Sequence, residues 1–448
     1  MYKVSKFNVP FSKNGEYFLY NSHSSNFVRL SEHYRESIRL INSKNYEKIP
    51  QSHIENFIEG GFIVKENKDE NSIYTYLHNM TRFGTTSFHL TIATTLQCNF
   101  RCPYCYEEHV DEYIEGEKEE QLRRFIEANI ENKSALTITW YGGEPLLKKD
   151  LIDRISKFAI ELCNKRGIPY YASMVSNGYL LNRELAMKMA EMNNIKQIQI
   201  TLDGGPDTHN LTRILRNGKG SFDVILKNIK EIYDLIAVNI RVNVSKENVN
   251  DVYKLLPILI EEGLNEKISV YFAPVEPINT ACQSISDSCL VTKEFSEWEM
   301  GLIEYADSIG FKIGELYPGN RGGAICQAVV QNAYVIDAYG DLFKCWHEVG
   351  NKSKRIGSLS EGITSEDNLL KWMNWQLPKK CETCNIMPLC KGRCPDLSID
   401  KIDKSDFECH QLKYNIKDRL FRYYQRSPIL NKQKINTNEL MNEIEVQT

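Results

Sequence analysis

Apolar residues in the middle of the chain alternate between strand-like and helix-like patterns. Six short apolar or alternating runs predict strands at residues 88–93, 136–140, 170–176, 197–202, 237–244 and 268–272. Apolar residues at helical spacing between them predict helices such as 151–163, 182–192 and 222–235. Repeated strand–helix units predict an α/β fold with a parallel sheet, closed or partly closed as a barrel, and ligands at the carboxyl ends of its strands.

The first 85 residues follow a different pattern. This segment predicts, in chain order, two strands, two helices and a return strand, at residues 16–21, 26–30, 31–41, 51–58 and 62–65. The arrangement resembles a winged helix-turn-helix module, and the polar run at 67–72 predicts its boundary. Open strand edges in such a module can accept an extended peptide, although a plain packing domain fits the same pattern.

Composition limits the classes of partner. The chain has 448 residues, which predicts more than one domain, and its formal net charge of -4 does not favour binding to nucleic acid or an anionic membrane. The first residues show no signal-like apolar segment, and no uninterrupted apolar run reaches the length of a membrane span. We therefore expect a cytoplasmic protein that binds neither nucleic acid nor membrane.

Cysteine is abundant and clustered. Three of the 13 cysteines, Cys98, Cys102 and Cys105, follow the first predicted barrel strand at the spacing C-x3-C-x2-C. Three thiolates occupy three corners of a tetrahedral or cubane metal site, so one position stays open for another ligand. The alternatives are a structural zinc knuckle with a distant fourth ligand, or three unrelated thiols.

Polar motifs follow the next three predicted strands. In chain order they are Gly142, Gly143 and Glu144, then Ser176 and Asn177, then Asp203, with Arg213 and Arg216 in the loop beyond. Glycines let a ligand approach the backbone, a glutamate can bind an amine, hydroxyl and amide groups suit a ribose, and a guanidinium suits a carboxylate. Each motif alone is equally an ordinary turn, but their order at successive strand ends indicates one ligand site.

Together these motifs resemble the radical S-adenosylmethionine (SAM) superfamily over roughly residues 88–275. The resemblance implies that Cys98, Cys102 and Cys105 bind a [4Fe–4S] cluster whose open iron binds SAM. It also implies SAM contacts from Tyr104, Tyr106, Gly142, Gly143, Glu144, Ser176, Asn177 and Arg213, with Arg216 in reserve. In this family the reduced cluster cleaves SAM to a 5′-deoxyadenosyl radical, which abstracts a hydrogen from the substrate.

Seven more cysteines follow at C-x13-G-x4-C, then C-x2-C-x5-C-x3-C, then a last cysteine. A zinc ribbon is the alternative, but it leaves three of them unexplained. The spacing resembles the SPASM extension of radical SAM enzymes, which usually holds two auxiliary [4Fe–4S] clusters, for three in all. The resemblance implies an outer set of Cys381, Cys384, Cys390 and Cys409 and an inner set of Cys326, Cys345 and Cys394. Either Cys282 or Cys289 completes the inner set, or one iron stays open.

SPASM relatives mainly modify peptides and proteins, so the resemblance implies a peptide maturase. With the N-terminal module as a leader-recognition element, the implied reaction is a cross-link within a ribosomally made precursor peptide, a thioether in preference to a carbon–carbon bond. The implied partners are that precursor and an external one-electron reductant such as flavodoxin or ferredoxin. An anaerobic sulfatase maturase, which forms formylglycine, is the nearest alternative. Its catalytic aspartate is expected where Trp346 and His347 follow Cys345.

No motif singles out a catalytic base, and the candidates are Asp337, Asp341, His347 and Glu348. A non-catalytic iron–sulfur electron carrier or peptide-binding protein is a hypothesis of another class, but it has no use for the SAM motifs. The predicted organisation is a leader-recognition module (1–85), a partial (β/α)6 TIM-like barrel (86–315), a SPASM domain (316–428) and a tail expected to be disordered (429–448).

Overall fold

The computed structural model describes residues 1–276, 286–314, 316–320, 326–399 and 408–427. Cys282 and the predicted tail at 429–448 lie outside these residues. Contacts divide the chain into two units. One, here called the N/C unit, comprises Met1–Thr81, Glu315–Ile325 and Gln376–Thr448, and the other, the barrel unit, comprises Arg82–Gly314 and Cys326–Trp375.

The N-terminal part of the chain forms two small antiparallel sheets and three helices. Its elements are β1 (Tyr2–Val4), β2 (Asn8–Lys13), β3 (Glu16–Asn21), β4 (Phe27–Leu30), α1 (Glu32–Asn42), α2 (Gln51–Glu59), β5 (Ile63–Lys65) and α3 (Glu70–Phe83). β1 pairs with β5, and β2, β3 and β4 form a three-stranded sheet in that order. Ser31 caps α1, because its side chain accepts a hydrogen bond from the Tyr34 N–H.

The start of α3 lies within the polar run that predicted a boundary. Glu70 is buried there, and its carboxylate accepts hydrogen bonds from the Ser5 hydroxyl and, at 3.0 Å, from the Lys6 N–H. A buried carboxylate needs such donors, so this polar residue ties α3 to the turn between β1 and β2.

Six parallel strands and their helices form the main part of the barrel unit. The elements are β6 (Ser87–Ala93), α4 (Glu117–Asn129), β7 (Ala135–Tyr141), α5 (Lys149–Arg166), β8 (Tyr170–Ser176), α6 (Arg183–Met192), β9 (Ile195–Thr201), α7 (Pro206–Thr212), α8 (Phe222–Ile232), β10 (Ala237–Val244), α9 (Val252–Glu261), β11 (Ser269–Pro274) and α10 (Thr292–Ser308). The strands are hydrogen-bonded in the order β11-β10-β9-β8-β7-β6. The predicted α/β fold with a large, mostly parallel sheet is confirmed, and it is consistent with a partial barrel.

The two faces of this sheet differ in polarity. One face is apolar, and residues such as Ile138, Ile198 and Ile240 are fully buried in one core with the surrounding helices. The other face, here called the polar face, carries half-buried polar side chains, namely Thr139, Ser173, Gln199, Asn239 and Arg241. In barrels with a packed interior, branched apolar side chains fill the space that the sheet encloses. A polar lining is instead typical of a surface that binds a ligand.

Later residues extend the sheet beyond β6. β12 (Ala333–Ile336) pairs parallel with β6, and β13 (Asp341–Phe343), β14 (Gly357–Ser358) and β15 (Gly362–Ile363) continue it antiparallel before α11 (Glu366–Met373). Buried Arg82 donates hydrogen bonds to the carbonyls of Val329 and Met373. Residues 326–375 therefore group with the barrel strands by contact, while the domain boundaries drawn from the sequence stay a prediction.

The last helices belong to the N/C unit. They are α12 (Met387–Cys390), α13 (Pro395–Ser398) and α14 (Leu412–Arg426). Val9 and Tyr20 from the N-terminal strands share a core with Ile386, Ile416 and Leu420. The N-terminal module and the segment of the last cysteines are thus packed on each other. Within the described residues, no helix combines the length and the apolar composition that a membrane crossing requires.

Candidate active site

The cysteine loop leaves the carboxyl end of β6 and is held by a second loop of the barrel unit. The Arg101 N–H donates to the Ile214 carbonyl at 2.9 Å, and the Arg216 N–H donates to the Asn99 carbonyl at 2.8 Å. Between them, Phe100 is buried and forms an isolated antiparallel bridge with Leu215. These bonds fix the loop backbone without using any thiol.

The three predicted ligands of the first cluster lie close enough to influence one another. Burial raises the pKa of the Cys98 and Cys105 thiols to about 12, and the nearby Cys102 contributes to both shifts. The Arg213 guanidinium opposes the shift at all three thiols. The loop therefore gathers three sulfur atoms beside one cation. Such weakly acidic thiols lose their protons when they bind a metal, because the metal replaces the proton on the sulfur atom.

Gly142 and Gly143 make room for the cysteine loop itself. A Cβ atom would lie 2.4 Å from the Thr95 carbonyl oxygen at Gly142 and 2.3 Å from the Gln97 carbonyl oxygen at Gly143. Gly142 also has a φ of +123°, which side chains rarely adopt. The sequence suggested close approach of a ligand to these glycines, whereas the neighbouring atoms belong to the backbone that carries the cysteines.

Glu144 is fully buried behind the cysteine loop and joins two of the predicted motifs. Its carboxylate accepts hydrogen bonds from the Ser176 hydroxyl at 2.8 Å, the Asn177 N–H at 2.8 Å and the Leu146 N–H at 3.1 Å. Burial raises the pKa of Glu144, and these donors partly offset that shift. The Asn177 side chain in turn donates to the Asn99 side chain at 2.7 Å. The motifs after β7 and β8 thus meet at the cysteine loop.

Tyr104 joins the cysteine loop to the motif after β9 and to Asn243 of β10. Its hydroxyl donates to the fully buried Asp203 carboxylate and accepts hydrogen bonds from Arg213 and Asn243, each at 3.3 Å. Burial raises the pKa of Asp203, and the Arg213 charge opposes that shift. The Arg213 Nε is buried and makes no hydrogen bond within the described residues. One guanidinium donor therefore remains available beside the three thiols.

His209 of α7 supports this network and was not among the predicted site residues. Its Nδ1 accepts a hydrogen bond from the Asp203 N–H at 3.2 Å, so the proton is on Nε2, 3.1 Å from the Ser221 hydroxyl oxygen. The Ser221 hydroxyl donates to the Arg213 carbonyl at 2.7 Å. Burial lowers the pKa of His209 to about 3, which keeps the ring neutral.

A second group of side chains lies on the other side of Cys105. The Tyr106 and Tyr141 hydroxyls are hydrogen-bonded, and the Tyr106 ring contacts the His347 ring edge-on at 5.3 Å between centroids. Glu107 is buried, and burial raises its pKa to about 7, a shift that the neighbouring Tyr141 hydroxyl partly opposes. Glu107 and Tyr141 carried no motif and were missed. The only available signal was their position directly after the cysteines and at the end of β7.

The four candidate bases have different surroundings. Asp337 is buried and accepts hydrogen bonds from the N–H groups of Tyr339, Asp341 and Gly350, which commits it to the turn between β12 and β13. Asp341 pairs with Arg355 at 2.9 Å. Glu348 is buried. The His347 ring contacts the ring of Tyr106, which belongs to the cysteine loop. This ring contact places His347 beside the cysteine loop.

The outer set of cysteines lies together in the N/C unit. Burial raises the pKa of Cys381 to about 12, and the nearby Cys390, Cys384 and Cys409 add to the shift. The Lys413 ammonium lies 3.7 Å from the Cys384 sulfur and donates a hydrogen bond to it. Four sulfur atoms that influence one another fit a four-thiolate metal site.

The inner set is divided between the two units. Cys326 and Cys345 belong to the barrel unit, and Cys394 belongs to the N/C unit. Cys289 is half-buried in the barrel unit, and Cys282 lies outside the described residues. The ligation of the inner set therefore stays a prediction.

A surface cleft of about 830 Å³ reaches the cysteine loop. Gln97, Cys98 and Asn99 form part of its wall, with Lys148 and Arg216 among the charged lining residues. The Lys148 ammonium lies 3.1 Å from the centroid of the Tyr113 ring, which holds it at the cleft. Cys98 is the only one of the three clustered thiols in the lining of this cleft.

Comparison with known proteins identifies the barrel. The model of the Radical SAM superfamily matches residues 92–256, which run from the end of β6 through β10 and include every motif described above up to Arg216. Residues 92–256 are a domain of the radical SAM superfamily. The chain is an enzyme, and a [4Fe–4S] cluster and SAM are the cofactors that this domain implies.

Curated relatives match this radical SAM enzyme over different lengths. Fe-coproporphyrin III synthase of Methanosarcina barkeri is 29% identical over 171 residues, which are 38% of this chain and 40% of that protein. The cysteine-type anaerobic sulfatase-maturating enzyme of Clostridium novyi is 26% identical in a 336-residue alignment that covers 66% of this chain and 84% of that protein. The second match extends well beyond the barrel.

Solved structures share the fold over most of the chain. Native anSMEcpe with bound AdoMet has a TM-score of 0.58 at 19% identity and covers 77% of this chain and 98% of its own. Streptococcus suis SuiB bound to precursor peptide SuiA has a TM-score of 0.51 at 15% identity and covers 92% of this chain and 99% of its own. The likeness to SuiB thus extends over more of this chain.

The donors around the cysteine loop fit the family's cofactors. Three gathered thiols supply three cluster ligands, and the unpaired Arg213 Nε is a donor for an anionic group beside them. The Ser176 hydroxyl and both Glu144 oxygens already have partners within the protein. The roles of the individual residues toward SAM stay a prediction.

Proposed function

We propose that this radical SAM enzyme matures a ribosomally made precursor peptide by forming an intramolecular thioether cross-link. The observation that carries the proposal is the N-terminal three-stranded sheet, which ends in an edge strand and shares a core with the four-cysteine segment. SuiB, which shares the fold over 92% of this chain, was solved with a precursor peptide, and this supports a peptide substrate. We further propose two auxiliary [4Fe–4S] clusters in addition to the SAM-binding cluster.

The edge strand β4 is the proposed site for the leader of the precursor. Within the described residues β4 pairs only with β3, so its outer N–H and C=O groups can accept an added strand. Hydrogen–deuterium exchange checks this assignment without any mutation. Addition of the precursor is expected to slow exchange at residues 27–30, while the other edge strand, β2, keeps its rate. Unchanged exchange at residues 27–30 in the bound complex would reject β4 as the leader site.

The polar face of the barrel is the proposed surface for the modified part of the peptide. Gln199 and Asn239 face each other across β9 and β10, and the Tyr271 hydroxyl donates to the Gln199 side chain. Peptide groups need hydrogen-bonding partners when they leave water, and this face supplies them.

Gln199→Ala is expected to lower peptide modification several-fold while SAM cleavage without peptide is unchanged. Lys196→Ala, on the same strand, is the matched control. Equal losses in both variants would exclude a substrate contact.

The overall reaction removes two hydrogen atoms from the peptide. The carbon–hydrogen bond and the thiol S–H bond break, and one C–S bond forms. When bound, the cluster and SAM supply the radical that takes the carbon-bound hydrogen into 5′-deoxyadenosine, and the thiol hydrogen leaves as a proton and an electron. His347, beside Tyr106, is the residue proposed to accept that proton. Iron–sulfur centres are one-electron acceptors, which suits auxiliary clusters in such a reaction.

The external reductant is proposed to dock at the cleft that reaches Cys98. Lys148 and Arg216 line this cleft together with one acidic residue, Asp111, and the excess of basic groups favours an acidic one-electron carrier such as flavodoxin or ferredoxin.

Mass spectrometry of the co-expressed precursor peptide tests the proposed reaction. The expected product has lost two hydrogens and carries a cysteine that can no longer be alkylated. Loss of two hydrogens with all thiols still alkylatable would point instead to a carbon–carbon bond. A peptide unchanged in the presence of active enzyme would reject the proposal.

Formylglycine formation is the second candidate function. The sulfatase-maturating enzyme of Clostridium novyi matches 66% of this chain, so the comparisons support this alternative equally. Incubation with a sulfatase-derived cysteine or serine peptide separates the two functions. An aldehyde that reacts with a hydrazine reagent would identify the chain as a sulfatase maturase.

A further inference from the structure

Tyr74 of α3 is a buried tyrosine whose hydroxyl has no hydrogen-bond partner within the described residues. The side chain is 6% exposed, so solvent does not readily satisfy the hydroxyl. Leaving a buried donor unpaired destabilises a protein, and most such groups have a partner. This hydroxyl therefore calls for an acceptor that the polypeptide itself does not supply.

The surroundings of Tyr74 point to sulfur as that acceptor. Its ring forms a small apolar cluster with Phe7 and Met387, and Cys381 and Cys384 pack against this cluster. Burial raises the pKa of Tyr74, and the neighbouring Cys390 and Cys381 raise it further. Cys390 and Cys381 of the outer cysteine set are thus close enough to influence this orphan hydroxyl of the N-terminal module, and Cys384 packs against the same apolar cluster.

We propose that the Tyr74 hydroxyl donates a hydrogen bond to sulfur of the outer iron–sulfur site and raises the reduction potential of that site. The proposal rests on the proposed outer cluster, whose ligands would be Cys381, Cys384, Cys390 and Cys409. A hydrogen bond to sulfur stabilises the more negatively charged reduced state, which is one of the means by which proteins set these potentials. The leader-recognition module would then tune an electron-transfer site as well as bind a peptide.

The test uses the full chain with the other two sites disabled by alanine at Cys98, Cys102, Cys105, Cys326 and Cys345. In this background, iron content and the midpoint potential from EPR-monitored titration report on the outer site alone. Tyr74→Phe keeps the ring and removes the hydroxyl, and it is expected to keep its iron and shift the potential downward. Two controls accompany it. Tyr170→Phe removes a buried hydroxyl in the barrel unit, and Phe7→Leu alters the apolar cluster around Tyr74 without removing any hydroxyl. Both are expected to keep the parent potential.

Each result decides the proposal. Loss of iron in Tyr74→Phe but in neither control would also support the hydrogen bond, because only the hydroxyl distinguishes it. The proposal would be overturned if Tyr74→Phe kept its full iron content and the midpoint potential of the parent. It would also be overturned if Tyr74→Phe and Phe7→Leu shifted the midpoint potential equally. Absence of iron in the parent background itself would overturn the proposed outer cluster, and the inference would fall with it.

Discussion

The Ser176 hydroxyl donates a hydrogen bond to the Glu144 carboxylate over 2.8 Å, which joins the ends of β7 and β8 directly behind the cysteine loop. The Asn177 N–H makes a second bond to the other carboxylate oxygen at 2.8 Å. A buried carboxylate with donors on both oxygens sets the spacing of two strand ends. This pair therefore organises the loop that carries Cys98 as well as any ligand beside it.

Glu144→Gln tests this organising role. A glutamine has an NH2 group in place of one carboxylate oxygen. This NH2 group would face a hydroxyl or N–H donor, so two donors would meet where Glu144 presents an acceptor. We expect a loss of stability of about 1–3 kcal/mol, seen as a lower thermal midpoint, and weaker SAM binding. The control is Glu266→Gln, which removes a surface ion pair with Lys312 and is expected to change stability by no more than about 0.5 kcal/mol. An unchanged midpoint in Glu144→Gln would refute the role.

Tyr104→Phe tests the placement of Arg213. The variant removes the hydroxyl that donates to Asp203 and accepts from Arg213, so the guanidinium loses one of its fixed partners. If Arg213 binds SAM, the KM for SAM is expected to rise roughly 10-fold or more, the effect of losing a hydrogen bond to a charged group. Tyr305→Phe, on α10, provides the comparison. A KM equal to that of the parent enzyme would exclude Arg213 from SAM binding through this network.

His209 predicts a pH dependence of stability. Burial lowers its folded pKa to about 3 from 6.5, so the unfolded chain binds more protons between these values and stability falls as pH falls below about 6.5. At pH 5 the loss amounts to about 2 kcal/mol. His209→Gln keeps an acceptor for the Asp203 N–H and a donor for Ser221 but cannot titrate. Its thermal midpoint is expected to change less between pH 7 and pH 5 than that of the parent.

The matched control for this pH experiment is His33→Gln, which replaces an exposed histidine on α1. It is expected to retain the full pH dependence of the parent. If His209→Gln and the parent lose the same amount of stability on acidification, the neutral ring at position 209 is not the origin of the effect.

Charge reversal at the cleft tests reductant docking. Lys148→Glu and Arg216→Glu change the charge at the wall that includes Cys98, so an acidic flavodoxin is expected to reduce the enzyme several-fold more slowly at low salt. Reduction by dithionite should not change, because that small reagent needs no docking surface. Lys293→Glu on α10 controls for net charge. If flavodoxin reduces the cleft variants at the rate of the parent, the reductant docks elsewhere.

The sequence was most informative where the physical signal was local. The apolar runs located all six parallel strands to within two residues at either end, because strands buried in a parallel sheet are nearly continuous in hydrophobicity. The spacing of Cys98, Cys102 and Cys105 needed no tertiary information. By contrast, β1, β12 and β15 are two to four residues long, and a run that short carries no readable period.

Long-range relationships were beyond the sequence. Glu70 lies in a polar run that looks like a linker, and only its contacts with Ser5 and Lys6 reveal a buried helix start. Likewise, Gly142 and Gly143 suggested a ligand, whereas the structure sets the backbone of Thr95 and Gln97 against them. In both cases the residue type was informative, but the partner that explains it is distant in the chain.

The shared core of the N-terminal strands and the last cysteines has a consequence for engineering. Val9 and Tyr20 pack with Ile416 and Leu420, and Phe18 packs with Phe421 and Tyr424. Exchange of the first 81 residues alone would leave one half of an apolar interface facing water. A chimera intended to accept another leader should therefore carry the whole N/C unit, residues 1–81, 315–325 and 376 onward, as one transferable body.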